Sequence, residues 1–142
     1  MEEHLFYMQM ALQQAEQAYE KGEIPVGAVL VADRKVLAKT HNSTEQLKDV
    51  TAHAEMLAIT AGSAYLGNKY LINCRLYITL EPCPMCTGAL FWSKIAQVIY
   101  GASDPKHGAC RHENLHPKTE LISGILAQES TLLLKDFFAD KR

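Results

Sequence analysis

The segment CRLYITLEPCPMCTGALFWSK, residues 74–94, decides how the chain folds. Its first part, Cys74 to Leu80, is a mostly apolar run containing β-branched and aromatic residues, and it predicts a strand. The two prolines in Glu81-Pro82-Cys83-Pro84 end that strand, because proline lacks a backbone N–H and fixes φ. A helix is predicted from about Met85 to Lys94. The segment therefore describes a strand that passes directly into a helix, with two cysteines at the junction.

The residues that precede this segment predict a helix and then a β-hairpin. Apolar residues recur at helical spacing from Glu3 to Lys21, and the predicted buried stripe comprises Leu5, Met8, Leu12, Ala15 and Tyr19. The continuous apolar run from Val26 to Val31 predicts a strand buried on both faces. A turn at Asp33-Arg34 joins it to a second strand from about Lys35 to Lys39.

Helices and strands alternate in the remainder of the chain. A polar loop from His41 to Thr51 leads into a predicted helix from Ala52 to Tyr65. The later predicted elements are strands at Gln97 to Gly101 and Thr119 to Ile122, and a terminal helix from Ile125 to Phe138. That order predicts an α/β fold in which a sheet lies between two layers of helices.

Length and composition indicate one globular domain spanning residues 1–142. The chain is 48% hydrophobic and 21% charged, with a formal net charge of −2, so it carries no overall basic footprint for nucleic acid and any RNA contact must be local. The longest apolar stretch, Ile24 to Ala32, is too short to span a bilayer, and the acidic N-terminus lacks the basic region of a signal peptide. Four cysteines in such a chain suit a reducing compartment. We therefore expect a cytoplasmic protein with no membrane partner.

Two short motifs carry the chemistry. His53-Ala54-Glu55 supplies one histidine and one carboxylate, and the Cys-x-x-Cys of residues 83–86 supplies two thiols. Three protein ligands, His53, Cys83 and Cys86, suit a catalytic Zn²⁺ that keeps its fourth position for water. Glu55 then stays free of the metal and is the candidate for proton transfer.

Each motif alone has a simpler interpretation. His53 is consistent with a hydrogen-bonded helix histidine and Glu55 with a solvated carboxylate, while an isolated Cys-x-x-Cys suits a redox pair or half of a structural zinc site. A four-ligand structural site is also open, because four other histidines can supply the last donor: His41, His107, His112 and His116. Cys74 and Cys110 are interpreted as a buried strand residue and a loop thiol, since neither has ligand spacing to another cysteine.

The joint pattern is typical of zinc nucleobase deaminases, and the chain resembles the bacterial tRNA-specific adenosine deaminases almost end to end. The matching segments are residues 23–31, 51–55, 76–90, 100–106 and 137–138. The resemblance implies a cytidine-deaminase-like three-layer α/β/α sandwich around a mixed five-stranded sheet, and a homodimer with one Zn²⁺ per subunit. It implies hydrolytic deamination of adenosine to inosine at the wobble position of a tRNA anticodon stem-loop.

The same resemblance implies a set of substrate-binding residues, which are Ile24, Asn42, Ala54, Leu80, Asp104, Lys106 and Phe138. In this interpretation Asn42 hydrogen-bonds the target base, Asp104 and Lys106 lie near the RNA backbone, and Phe138 lies against an unpaired nucleotide. From the residues alone, Asn42 also suits a turn, and the basic, histidine-rich stretch at 106–118 also suits a solvated loop. Phe137 is predicted to pack in the core.

Two departures from the family pattern concern RNA binding. The segment from Gly108 to Pro117 is shorter than in many members, and Ala139 and Asp140 follow the phenylalanine pair where the family is often more basic. Two rival functions stay open: a deaminase of free nucleobases or nucleosides of the guanine or cytosine type, and a zinc-stabilised RNA-binding module without turnover. A pocket closed by the C-terminal segment favours the small substrate, whereas an open groove favours RNA.

Overall fold

The computed structural model describes residues 1–140 and contains one mixed five-stranded sheet. The elements in chain order are α1 (Glu2–Glu20), β1 (Gly27–Ala32), β2 (Lys35–His41), α2 (Thr44–Leu47), α3 (Ala54–Leu66), β3 (Cys74–Leu80), α4 (Pro84–Ser93), β4 (Gln97–Ala102), a 3-10 turn (His112–Asn114), β5 (Glu120–Ile122) and α5 (Ala127–Ala139). The strand order is β2-β1-β3-β4-β5. β1 is antiparallel to both its neighbours, and β3, β4 and β5 are parallel.

Helices cover both faces of this sheet, which confirms the predicted three-layer sandwich. α1 and α5 pack on one face, where Met8 of α1 meets Val29 and Val31 of β1. α3 and α4 cover the other face, where Ala28 and Leu30 of the same strand point. Successive side chains of a strand alternate between faces, so β1 contributes to two cores and is buried on both sides, as its apolar run predicts.

The β1–β2 hairpin turns where the sequence predicts it. Asp33 and Arg34 have φ values of 49° and 64°. Two consecutive residues with positive φ form the type I′ turn, whose twist matches that of the flanking strands. The second strand extends two residues beyond the predicted end at Lys39 and stops at His41.

The predicted buried stripe of α1 is partly wrong. Leu5 is 37% exposed, whereas the buried residues of the helix are Tyr7, Met8, Ala11, Gln14, Ala15 and Ala18. The reason is the close approach of the helix to Gly27 of β1. A Cβ at position 27 would lie 2.0 Å from the carbonyl oxygen of Ala11 and 2.5 Å from the backbone nitrogen of Ala15. Small alanines therefore face the sheet, and the larger side chains flank them.

The segment predicted as a polar loop contains the short helix α2. Glu23 lies 1% exposed beneath it, and its carboxylate accepts the backbone N–H groups of Glu45 at 3.1 Å and Gln46 at 2.7 Å. A carboxylate at a helix N-terminus satisfies donors that have no partner within the helix. This contact fixes the chain immediately after Asn42. Within residues 1–140 no helix is long and apolar enough to cross a membrane.

Candidate active site

The candidate site lies where the parallel strand β3 ends and the helices α3 and α4 begin. Cys83 is the N-cap of α4, with Pro84 in the first helical position, where a missing N–H costs nothing. His53 is the N-cap of α3 and is extended, with φ −72° and ψ 153°. The helix predicted from Ala52 thus begins two residues later. Because His53 precedes the helix, Glu55 in the first turn lines the same cavity rather than pointing away from it.

The three predicted metal ligands are brought together. Their donor atoms all lie within 4.8 Å of one another. His53 Nδ1 lies 3.6 Å from Cys83 Sγ and 3.5 Å from Cys86 Sγ. A tetrahedral Zn²⁺ with bonds of about 2.3 Å to sulfur and about 2.05 Å to nitrogen separates such donor atoms by about 3.6 Å. The spacing and the donor chemistry therefore fit zinc.

No fourth ligand accompanies these three among residues 1–140, where they form the one such group of histidine, cysteine and carboxylate donors. His41 instead bonds Lys21 through Nε2 at 3.2 Å. His116 lies against the ring of Phe91, with the two ring centroids 6.3 Å apart. A four-ligand structural site built from the predicted histidines is therefore not formed in the described chain.

Burial and hydrogen bonding shift the pKa values of the groups around this cluster. Glu55 is 4% exposed, and loss of hydration raises the pKa of its carboxyl to about 7. A hydrogen bond from Cys86 is the main cause that lowers the pKa of the Cys83 thiol to about 5, and burial acts in the opposite direction. The same hydrogen bond raises the pKa of the Cys86 thiol. A thiolate is the form in which cysteine binds a metal, so without a metal only Cys83 of this pair is favoured in that form.

Glu55 and the donor cluster share a small cavity, which we call the inner cavity. It has a volume of about 210 Å³ and is lined by Ile24, Val26, Asn42, Thr44, His53, Ala54, Glu55, Leu80, Glu81, Cys83, Asp104 and His107. Asn42 is 6% exposed, and its side-chain amide makes no hydrogen bond to residues 1–140. No buried side-chain nitrogen or oxygen among residues 1–140 lacks a hydrogen-bond partner, so the amide atoms of Asn42 are accessible from the cavity. Its donors and its acceptor are thus available to a ligand beside Glu55.

A larger outer cavity of about 780 Å³ adjoins the inner one. It is lined by Ile24, Leu80, Ala102, Ser103, Asp104, Pro105, Lys106, His107, Thr131, Leu134, Lys135, Phe138 and Ala139. The two cavities share Ile24, Leu80, Asp104 and His107 as lining residues and therefore lie side by side. Phe138 is 48% exposed at this cavity, whereas its neighbour Phe137 is 6% exposed in the core. α5 forms a wall of the outer cavity, and none of its residues lines the inner one.

Every residue predicted to bind substrate lines at least one of these cavities. Asn42 and Ala54 line the inner cavity, Lys106 and Phe138 line the outer cavity, and the other three lie at both. Sequence reasoning missed Glu81 and Lys135 as lining residues, and it named His107 only as a possible fourth ligand and within the basic stretch at 106–118. Glu81 directly precedes the Pro-Cys motif, and that position was the available signal. For Lys135 the sequence contains no such signal, because this residue is far from the motifs in sequence and lies near them only in the folded chain.

Comparisons with known proteins agree with this geometry. The family model described as the zinc-binding region of cytidine and deoxycytidylate deaminases matches residues 1–102. The chain is 41% identical over 149 aligned positions to a tRNA-specific adenosine deaminase of Agrobacterium fabrum, covering 100% of this chain and 98% of that protein. It is 53% identical over 103 residues to a tRNA-specific adenosine deaminase of Aquifex aeolicus, covering 72% of this chain and 68% of the other.

A solved structure gives the same result in three dimensions. It comes from a study of A-to-I editing by tRNA:A34 deaminases at the wobble position of transfer RNA. It superposes with a TM-score of 0.85 at 40% sequence identity, covering 91% of this chain and 99% of the other. The chain therefore belongs to the cytidine and deoxycytidylate deaminase family and, within it, to the tRNA-specific adenosine deaminases.

Proposed function

We propose that the chain deaminates adenosine to inosine at the wobble position of a tRNA anticodon, by hydrolysis. The observation that carries this proposal is that the small cavity with the metal donor set lies directly beside a larger one. The inner cavity holds a metal donor set beside the buried Glu55. The outer cavity, of about 780 Å³, is much larger than the inner cavity, of about 210 Å³. Two relatives are named tRNA-specific adenosine deaminases, and the solved structure of a tRNA:A34 deaminase adds the wobble position, so both support this substrate.

The metal centre in this proposal uses three side chains of the single domain predicted over residues 1–142. Residues 141 and 142 of that domain lie outside the described residues. His53, Cys83 and Cys86 would hold one Zn²⁺ per chain. When bound there, zinc supplies Lewis acidity that makes a water molecule more acidic. The three side chains leave the carboxylate of Glu55 free, because it is not among the donors that cluster.

Glu55 moves the protons of the reaction. Its carboxylate takes a proton from the attacking water and delivers one to N1 of the adenine ring, which makes C6 more electrophilic. The oxygen of water forms a bond to C6, and the C6–amine bond then breaks. Protonation of the departing amine lets it leave as ammonia, so that adenosine and water give inosine and ammonia.

The walls of the two cavities hold the substrate in this scheme. Asn42 hydrogen-bonds the target base through its free amide, and the apolar surfaces of Ile24, Ala54 and Leu80 enclose that base. The outer cavity presents the exposed ring of Phe138 to a neighbouring unpaired base. The resemblance to the tRNA-specific adenosine deaminases implies these roles, and the lining of the two cavities is consistent with them.

Charge at the outer cavity suits an RNA backbone locally despite the net charge of −2. Lys106 comes from the segment after β4, and Lys135 comes from α5. Both are exposed at this cavity. Two cations from separate elements offer contacts to phosphate, which is the usual source of affinity for nucleic acid. Lys135 lies on the turn of α5 that precedes Ala139 and Asp140, where the chain departs from the more basic family pattern.

An assay of substrate class tests the proposal. Wild-type chain loaded with zinc is incubated with an anticodon stem-loop that carries adenosine at the wobble position, and in parallel with free adenine, adenosine, guanine and cytosine. We expect inosine in the stem-loop and no comparable release of ammonia from the free compounds. A stem-loop with the adenosine moved to a paired position serves as the control. Deamination of a free base alone would overturn this function in favour of a small-molecule deaminase.

We also propose that the chain works as a homodimer in the cytoplasm, where tRNA is found. α4 carries no charged residue from Pro84 to Ser93, yet Trp92 on it is 74% exposed. A helix that is apolar all round is normally covered, and tryptophan is enriched in protein interfaces. A second copy of the chain is the proposed cover.

Sedimentation velocity tests the dimer. Wild type at micromolar concentration should sediment with twice the 15.8 kDa mass of the chain. Trp92→Glu should shift the protein toward the single-chain mass, because a charge buried in an interface without a partner is costly. Leu132→Glu is the matched control, since Leu132 on α5 is also exposed, at 66%. A wild-type protein of single-chain mass would contradict the proposal.

A further inference from the structure

We propose that Glu81 is a positioning residue for RNA binding. It holds the segment from Ser103 to Cys110 against the mouth of the active site. This inference rests on the proposed function. Glu81 follows β3 directly, and its backbone N–H donates to the carbonyl of Ala102 at 2.8 Å. Its side chain then reaches across to the segment that follows β4, which we call the 103–110 segment.

The carboxylate of Glu81 connects both ends of that segment. Its Oε1 accepts the backbone N–H of Asp104 at 3.0 Å, and its Oε2 accepts the backbone N–H of Cys110 at 3.2 Å. Each oxygen thus has one backbone donor. The 103–110 segment contains no helix or strand of its own. These two bonds, together with the one that the backbone N–H of Ala109 donates to the carbonyl of Pro82 at 3.0 Å, provide the support that regular secondary structure gives elsewhere.

Gly108 makes room for this arrangement. A Cβ at position 108 would lie 2.3 Å from Glu81 Cδ and 2.5 Å from each of its carboxylate oxygens. The glycine backbone therefore packs directly on the carboxylate, and any larger residue displaces one of the two. The backbone N–H of Gly108 also donates to the carbonyl of Asp104 at 2.9 Å, which closes the segment upon itself.

The segment held in this way forms a wall of both cavities. Asp104 Oδ1 accepts the backbone N–H of Lys106 at 3.2 Å and of His107 at 3.1 Å, so these three residues form one hydrogen-bonded turn. Asp104 and His107 line both cavities, and Lys106 lines the outer one. Glu81 therefore fixes the place of the cation and the polar groups that meet the RNA, while it touches none of the three metal donors in the described hydrogen bonds.

The short sequence from Glu81 to Cys86 therefore has two separate functions. The Pro-Cys motif that starts at Pro82 supplies the metal donors, and the residue just before it sets the wall that receives the substrate. Loss of the Glu81 carboxylate is expected to weaken substrate binding and to leave the chemical step, which depends on Glu55 and the metal donors, nearly unchanged.

The test compares KM with kcat in Glu81→Gln. The amide retains one acceptor oxygen, but its NH₂ group faces a backbone N–H and removes one of the two bonds. We expect KM for the wobble-adenosine stem-loop to rise about tenfold, as befits one lost hydrogen bond to a charged acceptor, with kcat within about threefold of wild type and with an unchanged zinc content. The Kd of a labelled stem-loop, measured by fluorescence anisotropy, should rise by the same factor. Both the Glu81→Gln protein and its reference carry Glu55→Gln in this measurement, which prevents turnover.

Gly108→Ala provides an independent second variant, because it displaces the same carboxylate from the other side. It should raise KM in the same direction. Glu120→Gln is the matched control, since it makes the same chemical change at β5, near the opposite end of β4, and should leave KM unaltered.

An unchanged KM in Glu81→Gln or in Gly108→Ala would overturn the positioning role. So would a loss of zinc with a fall in kcat at constant KM, because Glu81 would then support the metal centre. A wild-type chain that neither binds nor deaminates the stem-loop would overturn the proposed function itself, which this comparison distinguishes from a failure of the Glu81 role.

Discussion

Glu55→Gln should reduce inosine formation in the anticodon stem-loop by about 10⁴-fold, the upper end of the effect of one positioned acid–base group. Glutamine has the shape of glutamate but neither takes a proton from water nor returns one to the ring and the amine. Because the same carboxylate serves in several steps, its loss affects all of them. Rapid-quench measurement of inosine by mass spectrometry, under single-turnover conditions, gives this rate directly.

The same variant should retain its metal and its fold. Glu55 is outside the donor group, and burial of its carboxylate disfavours the charged form, so a neutral amide of the same size does not lower the free energy of unfolding. One zinc per chain and an undiminished Tm are therefore expected. Glu16→Gln, an exposed change on α1, should leave the rate unchanged. A rate for Glu55→Gln within tenfold of wild type would show that another group moves the protons.

His53→Ala should abolish tight zinc binding and lower the thermal stability of the protein. A ligand that binds the folded chain at a free concentration about 1,000 times its Kd stabilises it by about 4 kcal/mol. Loss of that contribution lowers Tm by about 10 °C for a chain of this size. Two donors from Cys83 and Cys86 remain in the variant, and a pair of thiols holds zinc less tightly than three converging ligands.

Calorimetry with and without a chelator measures this effect. The Tm of wild type should fall by about 10 °C when the chelator is added. The Tm of His53→Ala should match that of the chelated wild type, whether or not the chelator is present. His112→Ala is the matched control, because His112 lies exposed on the 3-10 turn and had been one of the candidate fourth ligands. An equal loss of zinc in both variants would indicate a four-ligand structural site. Zinc retained by His53→Ala would remove the histidine from the donor set.

The layers of the fold were predictable from the sequence because apolar periodicity is a local property. The run that became β1 and the strand from Cys74 to Leu80 lie within one residue of their predicted ends. The orientation of α1 was not predictable in the same way. It depends on Gly27, which is distant in sequence from the alanines that pack on it. A stripe of apolar residues on a helical wheel carries no information about such an approach between two backbones.

The metal donors were predictable because their chemistry requires particular residues at particular spacings. His53 and the two cysteines converge in the structure as the motifs indicate. The arrangement of Glu55 was only partly predictable, because the helix begins after His53 rather than before it. Where a helix starts decides which way the first side chains point, and helix boundaries are poorly determined by local sequence.

The contacts that support the substrate walls were the least predictable. Glu81 reaches the backbone of the 103–110 segment across more than 20 residues of sequence. Glu23 reaches α2 over a similar separation. In both cases a carboxylate bonds backbone N–H groups, which every residue except proline carries, so the partner leaves no trace in the sequence. Such contacts become visible only once the strands place the two segments side by side.

The most direct test of the account is a zinc titration of metal-free chain, in which bound zinc and inosine formed in the wobble-adenosine stem-loop are measured on the same samples. The account predicts that inosine formation rises in proportion to bound zinc and stops rising at one zinc per chain. It predicts that Glu55→Gln binds the same amount of zinc and forms almost no inosine. Inosine formed at full rate by the metal-free chain would contradict it, and so would a fully zinc-loaded wild type that forms none.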